Sequence, residues 1–510
     1  MRVGGRAPQA TLRTVSEDPT HFDLIIIGSG SGNSLVTPDF DLRRTAVVDR
    51  GAGSEDAFGG TCLNVGCIPT KMFVHTAVIA ATITDAARFG IDATLDGVRW
   101  RDIRDRIFGR IDPISAGGRD YRRDAEHTEA YLGHARFLDD RELEVEITTP
   151  GGRHEVGSTH RIRGDQVVIA TGSRPFVPEV VRSSGVPFHT SDSIMRIDEL
   201  PASLGILGGG VGAAEFAHGF ASLGVRVSVV VRGPGLLTHF DNDLSAAFTD
   251  LARAQWDVRS GAALEAVREG GDGVELQLAD GVVSGQMLLV ATGRVPNSED
   301  LGLEHTAVQT RRDGRVVVDE HGRTDAEGVW ALGDVSSPYQ LKHVANQEAR
   351  VVAHNLVHPD DLHSFDHRYV PAAVFSHPQV ATVGLTADEA QGQGYAVTTK
   401  TQRYGDVAYG WAMEDSTGLF TVVADRATGR LLGAHAMGPH SSTLIQPVIQ
   451  ALSLAGPDGG PTAHDLARGQ YWIHPALSEV LENALLGLDV EPEHDVTADY
   501  DPTGEVLPAT

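Results

Sequence analysis

Cys62 and Cys67 are the only cysteines in the 510-residue chain, and they stand five positions apart in GGTCLNVGCIPTK, residues 59 to 71. A disulfide across so short a loop stabilises a fold by only about 2 kcal/mol in the chain-entropy account, against about 4.7 for a loop of 100 residues. A chain of this length builds a core without such a staple. Zinc is a poor alternative, because no second Cys or His pair at zinc spacing lies nearby. Residues i and i+5 fall on different faces of a regular helix, so pairing them requires a distorted first turn, which Gly66 and Pro69 permit. A helix N-terminus at the same point favours a thiolate. The stretch therefore reads as a disulfide that opens and closes during a reaction.

Such a pair needs an electron donor and a proton carrier. His474 is followed by Pro475 and, five positions on, by Glu479 in YWIHPALSEV, residues 471 to 480. A carboxylate there orients the imidazole and favours its protonated form. For electrons, two glycine turns follow apolar strands. In DLIIIGSGSGN (23 to 33), Gly28 allows the tight turn and Gly30 lets backbone approach a pyrophosphate at the start of a following helix. Asp49 ends the next strand, at the distance of a ribose-binding acid, while Asn33 replaces the usual third glycine or alanine. The second turn runs from Gly208 through Gly210 to Ala213 within LGILGGGVGAAEFAHGFASLGVRVSVVV, and matches G-x-G-x-x-A. Its second strand ends Val230-Val231-Arg232, with no acid to repel a 2′-phosphate. Two unit charges 4 Å apart interact by about 4 kcal/mol at an effective dielectric of 20, and an arginine pairs with phosphate. NADPH is expected over NADH.

These motifs are positioned by an α/β chain of about three domains. VVIATGSRP (167 to 175) and LLVATGRVP (288 to 296) bracket the second unit. The expected order is a disordered leader at 1–21, a first nucleotide domain at 22–169 that resumes at 296–365, an inserted nucleotide domain at 170–295, an α+β interface domain at 366–489, and an acidic disordered tail at 490–510. The formal net charge of -27 disfavours nucleic acid. No run of about 18 apolar residues is evident, so no membrane span is expected. Two cysteines in so long a chain suit a reducing, cytoplasmic setting. Lysine occurs only at 71, 342 and 400, which reads as coding bias.

Together these residues resemble the flavoprotein disulfide reductases, the family of glutathione reductase and dihydrolipoamide dehydrogenase, over about residues 22 to 489. HPALSE supplies the family's His-Pro-x-x-x-Glu, and TDAEGVWALGDV (324 to 335) resembles its second FAD motif. The resemblance implies two Rossmann-like domains for FAD and NADPH and an α+β dimerisation domain. It implies cofactor contacts at Gly32, Gly60, Thr61, Lys71, Thr171 and Gly172, with Gly333 and Asp334 on the flavin nucleotide. Glu215 is implied near the nicotinamide, and Gly293 and Arg294 complete the set. Where related NADPH enzymes carry a second arginine, the chain has Thr238 beside His239. The implied cycle passes electrons from NADPH through FAD to the pair, with Cys67 nearer the flavin and Cys62 attacking a small-molecule disulfide. His474 then comes from the second subunit of a homodimer. No metal is implied. Tyr471-Trp472-Ile473 before the histidine and Glu482 to Gly487 after it resemble the branch acting on mycothione, the disulfide of a sugar-linked cysteine thiol. An NAD-dependent dihydrolipoamide dehydrogenase, another glutathione-reductase-like enzyme, and a flavin-binding redox sensor remain as alternatives.

Overall fold

The computed structural model describes residues 18–491 except 41, 54–56, 272 and 456–460. The expected leader and tail fall mostly outside these residues, and their inner ends differ from expectation. Strand β1 (Thr20–Ile27) already includes Thr20 and His21, and Val490 is buried against the last domain.

β1 buries Phe22 and the run Leu24 to Ile27, as a strand covered on both faces must. It lies between β2 (Thr45–Asp49) and β5 (Thr159–Ile169), parallel to both, with Ile25 opposite Ala46 and Val167. Val329–Ala331 extends the sheet beside β5. β3 (Thr128–Asp139) runs parallel to β2, then joins β4 (Glu142–Ile147) and β5 antiparallel. No α-helix follows the first glycine turn. Two 3-10 turns, Gly32–Leu35 and Pro38–Phe40, make the crossing to β2. Pro38 explains the difference: its ring disfavours helical backbone at Thr37, and the crossing is too short to restart a helix.

The second unit follows the expected pattern. β7 (Ser203–Leu207), the helix Val211–Ser222 and β8 (Arg226–Val231) form a parallel unit, flanked by Met287–Val290 and Asp257–Ser260. Its chain enters and leaves through a small antiparallel pair, β6 (Ser173–Pro175) with Arg294–Pro296. The third unit is a five-stranded antiparallel sheet from Ala372–Val374 to Leu431–Gly438, packed against Gln446–Ser453 and Glu479–Leu486.

The first two units meet where α2 (Cys67–Asp85) crosses the helix Val211–Ser222. Phe73 lies 5.0 Å from Phe220 and 5.8 Å from Trp100, ring centre to ring centre. The stretch Gly60–Phe89 passes for a membrane span by length and composition alone. Its apolar residues are interleaved with Thr, Lys and His, so no continuous run marks it. Here it is broken near Gly66, and its Phe73, Val74 and Ala77 are buried in the protein.

Candidate active site

The cysteines sit on either side of that break. α1 (Gly60–Asn64) carries Cys62; Val65 and Gly66 interrupt it, and Cys67 opens α2. A Cβ at Gly66 would stand 3.0 Å from the Thr61 carbonyl oxygen and 3.4 Å from Cys62 Cα. Only glycine lets α2 start so close to α1. Asn64 Nδ2 ties the turn by donating to the carbonyls of Phe58 and Gly60, both at 2.9 Å, and Thr70 Oγ1 donates to the Gly66 carbonyl at 2.7 Å. The two thiols are in hydrogen-bond contact. Donation from the Cys62 thiol, helped by the Lys71 charge, brings the Cys67 pKa down to about 7. The same hydrogen bond, together with burial, pushes Cys62 up. Cys67 is thus the thiolate of the reduced pair and Cys62 its proton donor.

Both cysteines open into a cavity of about 410 Å³. Gly28, Gly30, Asp49, Gly60, Thr61, Thr171, Gly172, Gly333, Asp334 and Arg294 also line it. Gly28 has φ +114°, and a Cβ there would strike the Ala170 carbonyl at 2.3 Å. A Cβ on Gly60 would stand 2.6 Å from Gly30 Cα, so these two glycines let the redox turn sit against the glycine turn. Gly32 does not face the cavity; it packs against Ala170 and Ile26. Asp49 accepts from the amides of Ser29 (2.6 Å) and Gly51 (2.7 Å). Burial pushes its carboxyl up against those two bonds. At the opposite wall Asp334 accepts from Ser173 Oγ at 2.5 Å, and that hydroxyl accepts from Arg294 Nε at 2.7 Å. Buried Glu348 accepts the Gly333 amide at 2.7 Å and pairs with His367 Nε2 at 2.9 Å. A long cavity with an acid at each end and glycines between fits the expected FAD.

Asn33, the departure from the fingerprint, accepts from Arg122 Nε at 2.8 Å through its side chain and from Nη2 at 3.1 Å through its carbonyl. Arg122 is buried in α3 (Trp100–Asp124). Asparagine at the third fingerprint position serves that guanidinium.

Lys71 and Glu215, 144 residues apart, are brought together. Lys71 Nζ lies 2.5 Å from Glu215 Oε1 and 4.7 Å from the centre of the Phe375 ring. Glu215 is buried and also accepts the Phe375 amide at 2.9 Å. This pair bridges α2 to the helix of the second glycine turn. In that turn a Cβ on Gly208 would strike the Ala291 carbonyl, whereas Gly210, Gly212 and Gly293 face open space. Arg232 is exposed at the end of β8, with no hydrogen-bond or ion-pair partner among the described residues. Thr238 and His239 are exposed across the same loop.

His474 Nδ1 lies 2.7 Å from Glu479 Oε1, and the other carboxylate oxygen accepts the Ala476 amide at 3.1 Å. The histidine holds the Glu479 carboxyl below its usual range. Its own side chain is 73 % exposed and does not line the cavity. Tyr471 and Ile473 beside it are exposed. One chain therefore contains both halves of the expected chemistry without bringing them together.

Two site residues were not legible. Lys342 donates to Ser31 Oγ at 2.8 Å and lines the cavity, and Glu348 holds the 333–334 turn. The signal for the first was the scarcity of lysine: two of only three, Lys71 and Lys342, stand at the site.

Residues 22–349 match the family model of the pyridine nucleotide-disulphide oxidoreductases, and 370–485 match that family's dimerisation domain. A mycothione reductase of Mycobacterium tuberculosis (strain CDC 1551 / Oshkosh) is 52 % identical over 476 residues, covering 92 % of this chain and 99 % of that one. A dihydrolipoyl dehydrogenase of Bacillus subtilis (strain 168) is 30 % identical, covering 93 % and 99 %. Among solved structures, the Cu(II) complex of the HOCl-induced flavoprotein disulfide reductase RclA from Escherichia coli superposes with a TM-score of 0.79. It has 27 % identity and covers 91 % of this chain and 99 % of its own.

Proposed function

The chain belongs to the pyridine nucleotide-disulphide oxidoreductase family, and from that premise we propose that it reduces mycothione to mycothiol with NADPH as the electron source and FAD as the resident cofactor. The observation that carries this reading is the asymmetric thiol pair at a helix break, open to the long glycine-lined cavity. The identity to mycothione reductase over nearly the whole length supports the substrate. The lone Arg232, with no acid beside it, supports NADPH. Residues 22–169 and 296–365 are assigned to FAD, 170–295 to NADPH and 366–489 to the dimer interface. The thiol pair suits the reducing cytoplasm.

FAD bound in the cavity supplies two-electron transfer between NADPH and the cysteine pair. Asp49, Asp334 and the glycines hold it, and Lys71 with Glu215 fixes the wall between the two nucleotide sites. In the reduced pair Cys62 loses its proton to His474 of the partner subunit and attacks one sulfur of the substrate. A Cys62–substrate disulfide forms and the first thiol leaves, taking the proton from that histidine. The Cys67 thiolate then attacks the Cys62 sulfur. The Cys62–Cys67 disulfide closes and the second sulfur leaves as a thiolate, which takes its proton from water. Glu479 keeps the imidazole oriented throughout.

The test is a panel of mycothione, glutathione disulfide, lipoamide and coenzyme A disulfide, each with NADPH and with NADH. Mycothione with NADPH is expected to have the highest kcat/KM; equal rates on all four, or a strong preference for NADH, would overturn the corresponding assignment. Arg232→Ala is expected to raise KM for NADPH several-fold and leave that for NADH unchanged, a loss of about 1–2 kcal/mol typical of a charge-assisted contact.

A further inference from the structure

At the far end of the helix Lys342–Val357, within the first nucleotide unit but away from its cavity, lies a group of histidines. The last turn carries His354, and His358 follows four residues later at the cap. Residues 359–362 double back and bring Asp361 and His363 over the helix end. The rings of His354 and His363 stack 3.6 Å apart with planes 6° from parallel, and the His358 ring lies 4.5 Å from that of His354. His354 Nε2 is 3.9 Å from Asp361 Oδ2. One donor atom from each of His354, Asp361 and His363 lies within 4.8 Å of the others.

The backbone beneath is fixed. Asn355 is buried and donates to the carbonyls of His321 (3.0 Å) and His363 (2.9 Å), while its oxygen accepts the His363 amide at 2.8 Å. The doubled-back segment is therefore pinned from the inside, with its donor side chains left at the surface. Asp361 and His363 are exposed and His354 is half-buried.

We propose that His354, Asp361 and His363 form a site for one divalent transition-metal ion of the zinc class. Two imidazoles and a carboxylate are a borderline donor set suited to that ion. Bonds of about 2.0–2.1 Å in a tetrahedral site put donors roughly 3.3 Å apart. The three side chains must close by about 1.5 Å relative to their present 4.8 Å limit, within the reach of exposed rotamers on a fixed backbone. At present His354 Nε2 is satisfied by the Asp361 carbonyl at 2.8 Å, the contact that ion binding replaces. A water or His358 completes the shell. Twelve residues of helix separate His354 from Lys342 at the flavin cavity, about 18 Å at 1.5 Å per residue. The ion therefore lies off the electron route, and its effect is to clamp the segment onto the helix.

Calorimetric titration of ZnCl2 into the oxidised, FAD-loaded full-length enzyme tests this, with the Cys62–Cys67 pair closed so that no thiol competes. About one ion per chain is expected. His354→Gln and His363→Gln are each expected to weaken binding at least tenfold. The wild type should also melt higher with Zn2+ than without, and the double variant should not. Equal stoichiometry and affinity in the double variant, or no binding to the wild type, would each overturn the site.

Discussion

Cys62 and Cys67 are chemically identical side chains made unequal by what surrounds them. The Cys62 hydrogen bond is the largest influence lowering Cys67, and Lys71 adds to it. Removing the donor in Cys62→Ala is expected to raise the Cys67 pKa, because the thiolate loses the bond that favours it. In the reduced wild type, alkylation of Cys67 should accelerate as pH rises through about 7, and in the variant the midpoint should move upward. An unchanged midpoint would remove Cys62 from that role. If His474 carries the proton, as proposed, His474→Ala should lower disulfide turnover by about 10²–10⁴-fold, the usual worth of a positioned acid–base group. NADPH-dependent reduction of the enzyme itself should stay near wild type. A turnover loss confined to substrate binding would argue instead for a contact residue.

At the scale of elements, the crossing of α2 over the helix Val211–Ser222 sets where Lys71 meets Glu215. Gly219 makes the crossing close: a Cβ there would lie 2.2 Å from Phe73 Cε1. Gly219→Ala is expected to cost about 1–3 kcal/mol of stability by overpacking, read as a lower denaturant midpoint with unchanged slope. The second βαβ unit was legible because its strand, glycine turn and small-residue helix are contiguous. The first was only half legible. Gly28 and Gly30 line the cavity and Gly32 does not, and Thr37-Pro38 disfavours the helix that the pattern suggests. The redox turn was legible from Gly66 and Pro69, although the glycine alone explains the close approach seen here. Lys342 and Glu348 were not legible as site residues, since their partners Ser31 and Gly333 meet them only after the sheet has closed. His474 with Glu479 could be read from spacing because both belong to one short turn.

The whole molecule holds its two chemical halves apart. The cavity carries the thiols, while the imidazole stands 73 % exposed beside uncovered Tyr471 and Ile473. The matched dimerisation domain spans that segment. If His474 serves the partner's thiols, then Cys62→Ser and His474→Ala homodimers should each be nearly inactive. Unfolding and reassociating them together should restore activity, because a mixed dimer contains one site with intact cysteines and an intact histidine. An inactive mixture containing verified heterodimers would place the histidine with its own chain's thiols.

Asn33 and Arg122 carry a consequence of another kind. The buried guanidinium donates two hydrogen bonds to one residue, Asn33. Alanine at 33 would remove the side-chain acceptor of that buried charge and leave it the backbone carbonyl alone, a loss of about 1.5–3 kcal/mol for a hydrogen bond to a charged group. In descent, the two positions form a ratchet: the arginine has to go first, or both together.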